Sequence, residues 1–188
     1  MQNNIENILR KHTVIPVATI ENSSQIDEYY TLLKTNNIYC IEITLRTSFA
    51  WEAISLFKQK YGSEFSVGVG TITNPADVNK CIEIGVDFIV SPGTSTELSA
   101  SLNNCGIPFL PGVATPSEII SGLNNGWSYF KFFPANLFGG RDALKVYSAI
   151  FSAAYFCPTG GINHDNYTSF LELPNVLAVG GSWVFKNN

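Results

Sequence analysis

The sequence lacks the marks of several large classes of protein. In its 188 residues, Lys and Arg number 11 against 15 Asp and Glu, giving a formal net charge of -4. There is no basic run or patterned basic face, which argues against a nucleic-acid partner. No stretch approaches the ~18 consecutive apolar residues of a membrane span. The opening Met1-Gln2-Asn3-Asn4-Ile5-Glu6 has no basic region followed by an apolar run, so it does not read as a secretory signal. Cys40, Cys81, Cys105 and Cys157 show no C-x-x-C spacing, and most lie in or beside apolar runs. They read as buried free thiols, not as disulfides or zinc ligands. His12 and His164 stand in polar surroundings, suggest no metal triad, and read as surface residues. Charged residues make up only 14% of the chain against 45% hydrophobic ones. A single cytoplasmic globular domain over residues 1–188 is the expectation.

What the sequence does contain is alternation. Ile5, Ile8 and Leu9 have the i, i+3, i+4 spacing of a short amphipathic helix. The β-branched run Val14 to Ile20 follows, with Pro16 awkward for a central strand. Ser23 or Ser24 is positioned to cap a helix to about Leu33. Tyr39 to Arg46 alternates cleanly: Ile41, Ile43 and Leu45 on one face, Cys40, Glu42, Thr44 and Arg46 on the other. Further strands are expected at Phe65 to Thr71, Phe88 to Val90, Phe109 to Pro111, Tyr129 to Phe133, Ala154 to Cys157 and Val176 to Val179. Helices are expected between them. Asn74 followed by Pro75 is a strong start signal, and Thr115-Pro116-Ser117-Glu118 is a capping box. Strands alternating with helices imply parallel pairing through right-handed crossovers. Eight strands and seven helical patterns, at a period of roughly 20 to 26 residues, predict a (β/α)8 barrel. An open doubly wound sheet would call for longer, almost wholly apolar strands and a phosphate loop after the first. Few residues follow Ser182, so the eighth outer helix is expected to be missing or truncated, with apolar surface near the first and last strands unless the N-terminal helix or a neighbouring subunit covers it.

One stretch stands apart: Tyr129-Phe130-Lys131-Phe132-Phe133-Pro134-Ala135. On a pleated strand Lys131 and Phe133 share one face, and Phe130 and Phe132 the other. Apolar surroundings disfavour an ammonium and leave an amine able to attack a carbonyl and form a Schiff base. The same pattern also fits a surface lysine whose stem covers an aromatic edge. In a barrel, functional groups gather where strands end. Those ends carry Glu42, Thr44 and Arg46, then Thr71, Ser91 and Pro92, Lys131, and Thr159, followed by the glycine turns Gly160-Gly161 and Gly180-Gly181-Ser182. A buried carboxylate such as Glu42 can relay protons or pair with Arg46 or Lys131. Arg46 offers a donor fork for a carboxylate. Glycine turns after the last two strands suit phosphate.

In order, Glu42-Ile43-Thr44-Leu45-Arg46-Thr47, Gly68-Val69-Gly70-Thr71, Ser91-Pro92-Gly93, Phe130-Lys131-Phe132-Phe133-Pro134-Ala135, Cys157-Pro158-Thr159-Gly160-Gly161-Ile162 and Gly180-Gly181-Ser182-Trp183 resemble the bacterial KDPG/KHG aldolase family (2-keto-3-deoxy-6-phosphogluconate and 4-hydroxy-2-oxoglutarate aldolases). The likeness runs from about Val14 to Val184. It implies a class I aldolase of the Entner-Doudoroff type, needing no metal or other cofactor, that releases pyruvate from a keto-acid substrate and assembles as a homotrimer. By that resemblance Lys131 is the Schiff-base lysine and Glu42 the acid/base. Arg46 and Thr71 hold the pyruvyl carboxylate, Pro92 and Phe133 belong to the substrate pocket, and Thr159 bears on stereochemistry at the aldol carbon. Gly160, Gly161, Gly181 and Ser182 form the phosphate edge. Two other readings of the residues remain at this point: a sugar-phosphate isomerase or epimerase that does not depend on Lys131, and a phosphate-binding barrel without catalysis.

Overall fold

The computed structural model describes residues 2 and 4–186. Its strands are β1 (Val14–Ala18), β2 (Cys40–Thr44), β3 (Ser66–Gly70), β4 (Phe88–Val90), β5 (Phe109–Leu110), β6 (Gly112–Val113), β7 (Tyr129–Phe132), β8 (Tyr155–Pro158) and β9 (Val179–Gly181). Its helices are α1 (Ile5–Lys11), α2 (Ser24–Thr35), α3 (Ala50–Tyr61), α4 (Pro75–Ile84), α5 (Thr96–Asn104), α6 (Pro116–Asn124), α7 (Gly140–Ile150) and α8 (Tyr167–Leu171). Every strand pairing is parallel. One sheet has the order β5-β4-β3-β2-β1-β9 and a second has β6-β7-β8.

The strand alternation sorts the side chains into two cores. Ile41, Ile43, Val67, Val69, Ile89, Phe109, Phe130, Phe132 and Phe156 face the helices and pack with residues such as Ile54, Phe57, Val78, Ile119 and Leu144. Ile15, Cys40, Phe88, Val90, Leu110, Cys157 and Ala178 lie on the opposite, inner face of the curled sheet. Ile5 and Leu9 of α1 join this inner cluster. The N-terminal helix therefore packs against the inner face of the strands.

Local signals explain the helix starts. Asn74 Oδ1 accepts the Asp77 N–H at 3.0 Å ahead of Pro75. Thr115 and Glu118 form a complete capping box. Ser23 stands before α2, but its hydroxyl makes no capping bond; Asn22 Oδ1 accepts the Ser24 N–H instead.

The ladders depart from the single closed set expected, and prolines explain the breaks. The predicted strand at Phe109 to Pro111 is two strands, β5 and β6, divided by Pro111. A parallel ladder would direct an N–H at position 111 to Tyr129 O; Gln2 Nε2 donates to that oxygen instead, at 2.5 Å. Pro158 faces the same neighbour as Phe156 and has no N–H to give, so β8 meets the last strand only through the bridges Phe156 to Val176 and Thr159 to Gly180. Pro16 is tolerated within β1 because the ladder to β2 begins at Val17. The last strand is Val179–Gly181, not Val176 to Val179. Gly180 and Gly181 are thus strand residues and not a turn. After β9 comes a 3-10 turn, Trp183–Phe185, stacked on α8 and α2 through Tyr167–Trp183 and Tyr29–Phe185.

Two further expectations concern single residues. His12 is not a surface histidine: it is 8% exposed, and its Nε2 lies 3.1 Å from Ser66 Oγ. Burial lowers its pKa to about 4. The four cysteines are free, and all but Cys105 are buried.

Candidate active site

Lys131 stands on β7, opposite Gly112 of β6 and Cys157 of β8. Glu42 stands on β2, opposite Val17 of β1 and Gly68 of β3. Both face the inner side, where they are 4% and 2% exposed. Lys131 Nζ donates to Glu42 Oε1 at 3.2 Å, across the space the curled sheet encloses. A buried ion pair is a poor stabilising device, because desolvation of both charges offsets their attraction. Its presence here directs attention to chemistry. Lys131 Nζ also lies 5.1 Å from the centre of the half-buried Phe133 ring, while Phe130 and Phe132 are fully buried on the helix side. The lysine is therefore not a surface residue lying along an aromatic edge.

Small residues make the space. A Cβ on Gly70 would overlap Glu42 Oε1 and lie 2.8 Å from Cδ and 2.9 Å from Cγ. Glycine at position 70 is what allows the carboxylate to reach the lysine. Gly112 does the same for the Pro92 carbonyl, and Gly180 for Thr159 Oγ1. Neither Gly70 nor Gly112 has a positive φ, so close approach, not backbone conformation, requires them. The one sequence signal for Gly70 was its phase: Gly68 and Gly70 share the inner face of β3 with Ser66, while Val67 and Val69 face the helices.

The other candidate residues lie at the C-terminal ends of the strands. Thr71 follows β3 with φ of +68°. A β-branched residue in the left-handed region is a real outlier, strained by about 1–3 kcal/mol. Thr159 is buried, and its Oγ1 fills the space beside Gly180. Pro92 is half-buried against Gly112. Arg46 is exposed, two residues past β2, and its guanidinium makes no hydrogen bond or ion pair among the described residues. Gly160 and Gly161 have φ of +100° and +72°, a true glycine turn. Gly181 is buried beneath the Trp183 ring, and Ser182 is exposed just beyond it.

Three further groups stand near the pair: Thr44, which the sequence placed at a strand end without a role, and Cys157 and Asn136, which sequence reasoning did not single out for the site. Thr44 Oγ1 donates to Ala18 O at 2.9 Å, so the Thr19 hydroxyl supplies the proton in the 3.2 Å contact between the two threonines. Cys157 lies beside Lys131 on the inner face, with burial pushing its thiol pKa up to about 12. It is held as a neutral thiol. Asn136 lies over the Gly160–Gly161 turn.

A parallel α/β fold carrying a buried lysine–carboxylate pair on the inner face of its strands has the groups that an enzyme of carbonyl chemistry through an amine would need. The comparisons with known proteins narrow the class. Residues 5–188 match the family model described as KDPG and KHG aldolase. The 2-dehydro-3-deoxy-phosphogluconate aldolase of Zymomonas mobilis is 38% identical over 180 residues, 96% of this chain and 86% of that one. The KHG/KDPG aldolase of Escherichia coli K12 is 37% identical, over 95% of this chain and 84% of that one. The structure of KDPG aldolase from Legionella pneumophila, with pyruvate captured at low pH as a covalent carbinolamine intermediate, superposes with a TM-score of 0.91 at 39% identity, covering 95% and 86% of the two chains. The chain belongs to the KDPG and KHG aldolase family, and it is an aldolase, a carbon–carbon lyase.

Proposed function

We propose that this chain is a Schiff-base aldolase that reversibly cleaves 2-keto-3-deoxy-6-phosphogluconate to pyruvate and glyceraldehyde 3-phosphate, and 4-hydroxy-2-oxoglutarate to pyruvate and glyoxylate. The observation that carries the reading is the enclosed pair, Lys131 Nζ at 3.2 Å from Glu42 Oε1. In this reading the Lys131 amine adds to the C2 ketone, and the carbinolamine loses water to give a protonated imine. Glu42 takes the C4 hydroxyl proton. The C3–C4 bond breaks, its electron pair passes into the imine to make an enamine, and the aldehyde departs. The enamine is reprotonated at C3 and water hydrolyses the imine, releasing pyruvate and the free amine. The Legionella relative's pyruvate carbinolamine supports the first covalent step.

The remaining residues take roles around that centre. Arg46 and Thr71 hold the pyruvyl carboxylate, and the strain at Thr71 suits a residue fixed by function. Pro92 and Phe133 wall the pyruvyl pocket, and Thr159 stands beside the aldol carbon. Gly160, Gly161, Gly181 and Ser182 receive the distal anion through backbone N–H groups. The two sheets are read as one (β/α)8 barrel over residues 1–188, interrupted in hydrogen bonding at Pro111 and Pro158. A cytoplasmic homotrimer remains the proposed state. Four free thiols suit a reducing compartment. Leu137, Phe138, Val146 and Ile150, exposed in and before α7, offer apolar surface for self-association. Among the described residues no helix is long and apolar enough to cross a membrane.

The test is reduction by borohydride in the presence of pyruvate, followed by peptide mapping. A pyruvyl adduct on Lys131 is expected, absent in Lys131→Met. Glu42→Gln is expected to keep the adduct while slowing cleavage by about 100-fold or more. Wild-type protein without an adduct at high pyruvate would refute the proposal.

A further inference from the structure

Beyond β1 and β2 the chain leaves for α2 and α3 through two short loops, residues 19–23 and 45–49. The last paired residues of the β1–β2 ladder are Ala18 and Ile43. On the other flank Leu45 N–H still donates to Gly70 O at 3.1 Å, and Arg46 N–H then turns back to Thr44 O at 2.9 Å. Among the described residues no backbone hydrogen bond joins the two loops to each other. Hydroxyls join them instead. Thr44 Oγ1 donates to Ala18 O at 2.9 Å, and Thr47 Oγ1 to Ile20 O at 2.6 Å. Thr19 Oγ1 completes the set, donating to Thr44 Oγ1 at 3.2 Å.

These two bonds differ from the other serine and threonine bonds to carbonyls among the described residues. The others reach no more than four residues along the chain, as Thr31 does to Asp27 O and Ser55 to Trp51 O. Thr44 and Thr47 span 26 and 27 residues. They also stand on either side of Arg46. Thr44 is buried and Thr47 half-buried, whereas Arg46 between them is exposed, and its guanidinium makes no hydrogen bond or ion pair among the described residues. No contact of the side chain itself fixes Arg46. What is fixed, before it and after it, is the backbone that carries it.

We propose that Thr44 and Thr47 are positioning residues for the reaction, clamping the β2–α3 loop to the β1–α2 loop so that Arg46 meets the carboxylate of the pyruvyl half. This rests on the aldolase reading above, in which Arg46 holds that carboxylate. The protons of both hydroxyls are committed to backbone carbonyls, so the two threonines act through Arg46. A carboxylate held alike before and during bond cleavage is a uniform-binding contact. Misplacing its partner weakens binding without slowing the chemistry. The pyruvyl carboxylate is common to both substrates, so both feel the loss alike.

The experiment measures kcat and KM for both substrates in wild type, Thr47→Val and Thr47→Ser, and repeats Thr47→Val in an Arg46→Ala background. Thr47→Val keeps the shape and removes the hydroxyl. It is expected to raise KM about 3- to 10-fold on both substrates, the size of one neutral hydrogen bond, with kcat held within about twofold. Thr47→Ser is expected to restore KM. In the Arg46→Ala background Thr47→Val should add nothing, because the residue it positions is gone. Thr44→Val breaks the other bond and is held to the same outcomes, so the comparison stands if either variant folds. An unchanged KM, a loss confined to kcat, or a rise of equal fold with and without Arg46 overturns the proposal. Calorimetric titration with pyruvate separates this failure from that of the aldolase reading. Pyruvate binding weakened in Thr47→Val and restored in Thr47→Ser supports the clamp even if borohydride traps no adduct on wild type. Binding unaltered by Thr47→Val overturns it even if the adduct forms.

Discussion

Replacing Gly70 by alanine adds one methyl group at the point where the site is tightest. The new Cβ would overlap Glu42 Oε1 and lie within 2.9 Å of both Cγ and Cδ. The β3 backbone cannot retreat, since it is laddered to β2 on one side and β4 on the other. Glu42 must therefore rotate away, and its carboxylate leaves Lys131 Nζ. An enclosed ammonium without its partner costs about 3–5 kcal/mol. For a domain of this size each kcal/mol is worth about 2–4 °C in melting temperature, so a fall of about 6–20 °C is expected. Loss of a positioned proton acceptor should lower kcat by about 10²- to 10⁴-fold. Lys131 itself is untouched, so borohydride should still trap pyruvate on it. Gly93→Ala is the matched control, because a Cβ there meets nothing within 4 Å. Turnover within threefold of wild type, on the order of measurement scatter in free-energy terms, with an unchanged melting temperature would refute the steric argument.

Other outcomes follow from single contacts. His12 has a folded pKa of about 4 against 6.5 for a free histidine, so above pH 6.5 it is neutral in both states and has no effect. Between pH 6.5 and 4 the unfolded chain takes up a proton that the folded one refuses, and stability should fall by up to about 3 kcal/mol. His12→Gln should flatten that part of a urea-midpoint profile; an unchanged slope would remove His12 as its cause. Thr115→Ala removes a hydroxyl that caps Glu118 N–H and donates to its carboxylate, and should cost about 1 kcal/mol in chemical denaturation, with Thr115→Ser restoring most of it. No difference between the two variants would mean that the box is held by Glu118 alone.

Much of the frame was legible because it rests on local rules. The alternation Cys40-Glu42-Thr44 against Ile41-Ile43 put the carboxylate on the inner face, and Lys131 with Phe133 followed from the same period of two. Asn74-Pro75 and the Thr115 box marked helix starts from three or four residues each. What escaped depends on partners distant in sequence. His12 looked superficial beside Lys11 and Thr13, but its surroundings come from Ser66, 54 residues away. Val176 to Val179 is apolar enough for a strand, yet β8 offers it Pro158 where an N–H is needed, and the ladder forms later, against β1. Gly70 and Asn136 were visible as letters. Their meaning lies in the atoms that would collide with a Cβ, which no periodicity encodes.

Helix α1 has a consequence for traffic. With Ile5 and Leu9 packed into the inner cluster, and Gln2 bonded to the start of β7, α1 covers the inner face on the side where the strands begin. On the proposed mechanism, a substrate bound to the amine would then enter and leave where the strands end. The pyruvyl half would be tethered to Lys131 and the aldehyde half would stand nearer the strand ends, so departure becomes a queue. The aldehyde must go first and pyruvate last. In steady-state inhibition, pyruvate would then compete with substrate for the empty amine, while the aldehyde would find only enzyme still carrying its bound enamine.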